Sequence, residues 1–242
     1  MKLLFLVFIS FSVQSNAQQT FSLKTPRGTS VPVMAHIPKS QVPLRAVLVA
    51  PGRSCNSKGS LFEALGQIGE KSGLIIFRFE WSYCGNNPQN PSPSPGLKNE
   101  IEDLQTVLTF MKSLDAVRAH EIFIAGKSLG SVVAYSVFSQ SSTVRGSILL
   151  TPICVNNGEY YPGFKNDLRP LLFALGNKDP DNCAISELSR ILRAAGPQIR
   201  TIIVGGDHGF RILDSDGQMI VPLTQQNILR VVNSTLNWVQ SH

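Results

Sequence analysis

Five residues constrain this chain more than any others: Gly126-Lys127-Ser128-Leu129-Gly130. A short apolar run, residues 122–125, leads into them, and a stretch of helical spacing, residues 131–138, follows. A backbone that turns from strand to helix this abruptly crowds the positions two before and two after the central residue, so both must be very small. The turn lifts Ser128 to the end of a strand. It also aims the N–H of Leu129 at the same space, because Leu129 precedes the helix. A serine hydroxyl is a weak nucleophile at its own pKa and needs a fixed, exposed position and an adjacent base. The motif therefore predicts Ser128 as a nucleophile.

The remaining sequence alternates between strand-like and helix-like stretches. Residues 21–25 and 31–38 read as two opening strands joined by a turn at Pro26-Arg27-Gly28. Short apolar runs at 46–50, 74–79, 146–150, 171–175 and 199–204 read as buried strands. Helical spacing covers 61–71, 97–114, 185–195 and 223–239. Residues 82–96, rich in Pro, Asn and Ser, and residues 151–168 read as loops without regular structure. Such alternation implies a mostly parallel central sheet with helices on both faces. No repeat or linker interrupts it, so residues 18–242 read as one domain.

The base that serves Ser128 should be a histidine, and the chain has four. His36 falls within the second strand, His120 precedes the fifth strand at the far edge of the sheet, and His242 ends the chain. His208, in Gly206-Asp207-His208-Gly209, follows the last strand at the edge where ligands bind in open α/β sheets. Elimination leaves His208. A carboxylate must orient its imidazole and stabilise the charged form. The loop after residues 171–175, Gly176-Asn177-Lys178-Asp179-Pro180-Asp181, offers Asp179, with Asp181 as the alternative. The oxyanion of a tetrahedral intermediate needs preorganised N–H donors. Leu129 supplies one, and Arg53, in Pro51-Gly52-Arg53-Ser54 after the third strand, supplies the other. Its guanidinium faces either solvent or an anionic substrate group. Tyr160, Tyr161 and Phe164 either line an apolar pocket wall or pack as loop residues on the core.

The N-terminus predicts export. Met1-Lys2 gives a positive start, residues 3–13 are apolar apart from Ser10 and Ser12, and Ser15-Asn16-Ala17 offers small residues for cleavage before Gln18. The run is shorter than the ~20 apolar residues a membrane span needs. Residues 1–17 thus read as a signal peptide and the protein as periplasmic or secreted. Export makes disulfides the expected state of Cys55, Cys84, Cys154 and Cys183, whose spacing matches no zinc pattern. The charge of +6 is scattered over the chain without a basic run, which argues against a nucleic-acid partner.

Taken together, these residues resemble the α/β-hydrolases of the dienelactone-hydrolase-like type, most closely the testis-expressed hydrolase-like proteins and their relatives among chromatin-complex subunits. Phe77-Arg78-Phe79, Gly126-Lys127-Ser128-Leu129-Gly130-Ser131, Gly176 with Asp179 and Cys183, and the Asp207-His208 turn carry the similarity. The resemblance implies an α/β-hydrolase fold with a minimal lid and a triad of Ser128, Asp179 and His208, in the chain order usual for that fold. It implies hydrolysis of a small ester or related acyl substrate, with neither metal nor cofactor. A catalytically idle binding module on the same fold is the alternative. Dienelactone hydrolases themselves carry cysteine where this chain has Ser128. The strand order usual for the fold makes the third and fourth strands neighbours, and likewise the sixth and seventh, which implies bridges Cys55–Cys84 and Cys154–Cys183.

Overall fold

A computed structural model describes residues 18–86, 92–153, 161–164, 166–180 and 196–242. The strands are β1 (Gln19–Lys24), β2 (Ser30–His36), β3 (Leu44–Ala50), β4 (Ile75–Phe79), β5 (Val117–Lys127), β6 (Val144–Leu150), β7 (Leu171–Gly176) and β8 (Ile199–Val204). The helices are α1 (Ser60–Lys71), α2 (Ser82–Asn86), α3 (Lys98–Lys112), α4 (Leu129–Gln140) and α5 (Val221–Ser241). The eight strands form one sheet in the order β1-β2-β4-β3-β5-β6-β7-β8. β1 and β2 pair antiparallel, β2 meets β4 antiparallel, and every pairing from β4 through β8 is parallel.

Both faces of the central strands are buried, which explains why they read as unbroken apolar runs. Leu48, Phe77, Ile122, Ile124 and Leu149 point to one face, against Leu104, Val107 and Met111 of α3 and Val133 and Phe138 of α4. Val47, Val49, Ile76, Phe123 and Ile148 point to the other, against Leu61 and Leu65 of α1 and Val231 and Leu236 of α5. α4 is buried nearly all round, as an apolar helix in the centre of a layered domain should be.

The structure moves several boundaries. β5 begins at Val117, so His120 lies inside the strand rather than before it, still at the end away from Ser128. The loop expected over 82–96 contains α2 and a 3-10 turn, Pro95–Leu97. Its helical turn is stabilised from outside the segment, by the Ser82 N–H donating to Asp103 of α3 at 2.8 Å, and so carries no periodic signal of its own. The helix expected over 185–195, Cys154, Cys183 and Asp181 lie outside the described residues, as do residues 1–17. None of the described helices is long and apolar enough to cross a membrane.

Arg78 of β4 is fully buried. Its guanidinium donates to the Ser57 carbonyl at 3.0 Å and to His36 Nε2 at 2.9 Å, and it pairs with Glu63 at 2.8 Å. His36 Nε2 must accept that bond, so Nδ1 carries the proton and donates to Glu70 at 3.2 Å. His36 is thus a structural histidine that ties β2 to α1. Burial opposes ionisation of Glu63, yet the hydrogen bond and charge of Arg78 outweigh it and lower its pKa. Removing the cation strands these partners, so Arg78→Ala should destabilise the fold by about 3–5 kcal/mol in urea unfolding. An unchanged urea midpoint would show that the network contributes nothing net.

Candidate active site

Ser128 sits between the last residue of β5 and the first of α4, with φ 53° and ψ −120°. A left-handed φ is unfavourable for a residue with a side chain and persists only where its surroundings impose it. Here the Ser128 N–H donates to the Leu150 carbonyl of β6 at 3.0 Å. The Ser128 carbonyl accepts from the Ser131 N–H at 2.9 Å and from Ser131 Oγ at 2.5 Å. The flanking glycines are sterically required. A methyl group on Gly126 would meet the Ser131 nitrogen at 2.7 Å, and one on Gly130 would meet the Ala50 carbonyl oxygen at 2.7 Å.

The loops after β7 and β8 are joined to each other. The Asn177 N–H donates to the Val204 carbonyl and the Lys178 N–H to the Gly206 carbonyl, each at 2.9 Å, while Asn177 Oδ1 accepts from the Gly206 N–H at 3.1 Å. These bonds bring Asp179 Oδ2 to 2.8 Å from His208 Nδ1. The Asp179 side chain is fully buried, whereas that of His208 is 23% exposed and reaches solvent. A proton on Nδ1 donated to Asp179 leaves Nε2 as the basic nitrogen.

His208, Lys127 and Gly52 line one cleft of about 380 Å³, together with Phe62 and Met219. A side chain on Gly52 would begin 3.6 Å from Ser128 Cβ, so the loop after β3 lies directly against the serine. Leu129 opens α4, and its N–H belongs to the first turn, where helices leave donors unsatisfied. Arg53 is exposed beside Gly52. Cys55 and Cys84 form a disulfide linking this loop to α2.

A family model for the alpha/beta hydrolase domain matches residues 43–240. This chain belongs to that family. Among solved structures, the hydrolase fold is similar to an α/β serine hydrolase without a lid from Xanthomonas campestris, at 14% identity over 93% of this chain and 94% of that one, with a TM-score of 0.66. It is also similar to an esterase domain from Rhodothermus marinus, at 14% identity, 93% and 98% coverage and a TM-score of 0.66. An α/β serine hydrolase homologue from Coxiella burnetii matches at 19% identity, 92% and 99% coverage and a TM-score of 0.64. No curated protein matches the chain.

Within this hydrolase domain Tyr161 and Phe164, after β6, pack on the core. Both are buried against Phe173. Tyr161 Oη lies 2.9 Å from Ser131 Oγ and donates to the Ile153 carbonyl at 3.0 Å. Tyr160 lies outside the described residues. Among the described residues one group, Cys55, Glu80 and Cys84, has metal-ligand spacing, but the disulfide occupies both sulfurs.

One organising residue escaped the sequence reading. Asp207 Oδ1 accepts from the Gly209 N–H at 2.8 Å and from the Arg211 N–H at 2.9 Å, while Oδ2 accepts from Arg211 Nε at 2.8 Å. These bonds fold the turn that carries His208. Asn227 of α5 supports it by donating to the Gly205 carbonyl at 2.5 Å and the Phe210 carbonyl at 2.8 Å. Burial opposes ionisation of Asp207, but its bonds to Arg211 and the two backbone N–H groups outweigh that and hold its pKa below the ordinary 3.8. With the folded value below the unfolded one, the unfolded chain takes up the proton first. The stabilisation is complete above 3.8 and disappears as pH falls through the folded value. The melting temperature of the wild type should therefore fall more steeply with acidification below that point than the melting temperature of Asp207→Asn. Parallel acid limbs would count against the assignment.

Proposed function

We propose that this chain is an exported serine hydrolase that cleaves a carboxylic ester or related acyl bond through an acyl-enzyme. The observation that carries the reading is that a serine held at φ 53° and a His208–Asp179 pair 2.8 Å apart follow the same ends of the parallel strands β5, β7 and β8. Ser128 Oγ attacks the acyl carbon while His208 Nε2 takes its proton. The tetrahedral intermediate collapses as His208 returns that proton to the leaving alcohol. Water, deprotonated by the same nitrogen, attacks the acyl-serine and releases the acid, restoring the Ser128 hydroxyl. Asp179 stabilises the imidazolium formed in each half-reaction. The N–H groups of Leu129 and Arg53 bind the oxyanion.

The family and the serine-hydrolase and esterase neighbours support the chemistry. The resemblance carried by Phe77-Arg78-Phe79 and the turn at Ser128 supports placement in the dienelactone-hydrolase-like group, with the hydrolase domain spanning 18–242. The signal-peptide pattern over 1–17 supports export to the periplasm or medium, and the Cys55–Cys84 bridge fits an oxidising compartment. The bridge Cys154–Cys183 remains part of this proposal. A fluorophosphonate probe tests the function. Labelling of the oxidised wild type that vanishes in Ser128→Ala is the expected result. A folded wild type that takes up no probe would instead favour a non-catalytic binding module.

A further inference from the structure

The loop after β3 is held from one side by the segment that follows β4. Trp81 Nε1 donates to the Gly52 carbonyl at 3.0 Å, and Tyr83 Oη donates to the Arg53 carbonyl at 3.1 Å. One residue beyond Tyr83, Cys84 is bridged to Cys55. Three residues of one loop, Gly52, Arg53 and Cys55, are thus fastened by three residues from a four-residue stretch. Trp81 is fully buried, and its ring meets Phe79 edge-on at 4.8 Å, so its N–H cannot swing away. Burial, followed by the charge of Glu100, pushes the Tyr83 phenol up, which keeps it protonated and therefore a donor.

The two carbonyls matter because of what shares their planes. A peptide group is rigid, and in the trans form its C=O and N–H point in opposite directions. The Gly52 carbonyl and the Arg53 N–H belong to the same trans peptide. The bond from Trp81 therefore sets the direction of the Arg53 N–H, away from the indole. The bond from Tyr83 sets the next peptide plane, so the dihedrals on both sides of Arg53 Cα are restrained. Gly52 lies directly against Ser128, at a distance where a side chain would begin 3.6 Å from Ser128 Cβ.

We propose that Trp81 and Tyr83 are positioning residues of the reaction: their hydrogen bonds to the Gly52 and Arg53 carbonyls aim the Arg53 N–H at the anionic oxygen of the tetrahedral intermediate. This rests on the serine-hydrolase reading above. Both side chains act by removing alternative orientations of a donor that must already be aimed when charge develops, which is where oxyanion donors exert their effect. The cost of losing them therefore falls on the transition state and not on substrate binding.

Tyr83→Phe and Trp81→Phe retain a ring and remove the O–H or N–H. Turnover of a short-chain chromogenic ester is measured per active site, with sites counted by stoichiometric fluorophosphonate labelling. Inhibition by an alkylboronic acid, whose adduct on serine bears an anionic tetrahedral oxygen, is measured alongside. Each variant should lose about 10-fold in kcat per labelled site, since each loosens the donor without removing it, and the pair about 100-fold, the lower end of the range for outright loss of one oxyanion donor. KM should stay within about twofold, and boronate inhibition should weaken in parallel with kcat/KM. Trp81→Phe opens space in the core and lowers stability, so Tyr83→Phe, at a half-buried position, provides the decisive comparison. Wild-type labelling and turnover with an unchanged kcat per site in Tyr83→Phe overturns this proposal alone. A loss confined to the labelled fraction overturns it too, since that is what a purely structural role produces. A wild type that takes up no phosphonate overturns the serine-hydrolase reading and this inference together.

Discussion

With Ser128 as the proposed nucleophile, Ser128→Ala should lower kcat toward a short-chain ester by about a million-fold while the protein remains folded. The expected size follows from the division of labour at the site. Removing the nucleophile abolishes the covalent route, and what remains is the modest acceleration from the N–H donors and from binding. The fold survives because the Ser128 carbonyl and N–H, not its hydroxyl, make the bonds to Ser131 and Leu150. Alanine retains a Cβ and so keeps the strain of the positive φ. Ser128→Gly removes that strain and should raise the urea midpoint by an amount equivalent to about 1 kcal/mol, with the same loss of turnover. Strain held for function predicts this opposition between stability and rate. Ester turnover that survives in both variants at a tenth of wild type or more would refute Ser128 as the nucleophile.

Asp179→Asn should cost about 10⁴-fold in kcat with little change in KM. The side chain keeps its volume in a fully buried site, 2.8 Å from His208 Nδ1. An asparagine can present its N–H₂ to the ring, which favours the tautomer with the proton on Nε2 and removes the base from Ser128. It also withdraws the negative charge that stabilises the imidazolium. The same substitution at Asp181 provides the comparison, because Asp181 was the rival from sequence. A large loss at 181 with near-normal turnover in Asp179→Asn would reassign the acid.

The central strands and the helices packed on them were legible because their signals are local. Leu48, Ile124 and Leu149 face one layer, and Val47, Phe123 and Ile148 the other. Two-sided burial therefore writes itself into the chain as short apolar runs. Boundaries were less legible. β5 extends back to Val117 through Arg118, His120 and Glu121, since polar side chains at the exposed end of a strand carry no apolar signal. α2 was missed because its first N–H is satisfied by Asp103, a partner 21 residues away.

The candidate site divides along the same line. The turn at Ser128 needs glycine two residues to either side because backbone from α4 and from β3 occupies the space a Cβ would take. That requirement is local enough to read directly from Gly126 and Gly130. The choice of His208 over His36 also came from position along the alternating strands. The structure supplies the physical reason, since His36 is bonded between Arg78 and Glu70.

By itself, then, the sequence determined the layered α/β architecture and a serine at the tip of a strand, because periodicity and glycine spacing are imposed by near neighbours. Tertiary structure alone decided that Asp179 lies against His208, that Tyr161 and Phe164 belong to the core, that Asp207 folds the histidine turn, and that Trp81 and Tyr83 grip the loop beside Ser128. Most of these are contacts between segments brought together only by strand order. The loops after β3 and β4 meet because those strands are neighbours, and the loops after β7 and β8 meet for the same reason. A hydrogen bond between residues about 30 positions apart has no periodic trace in the chain. It exists only once the parallel sheet has set its strands side by side.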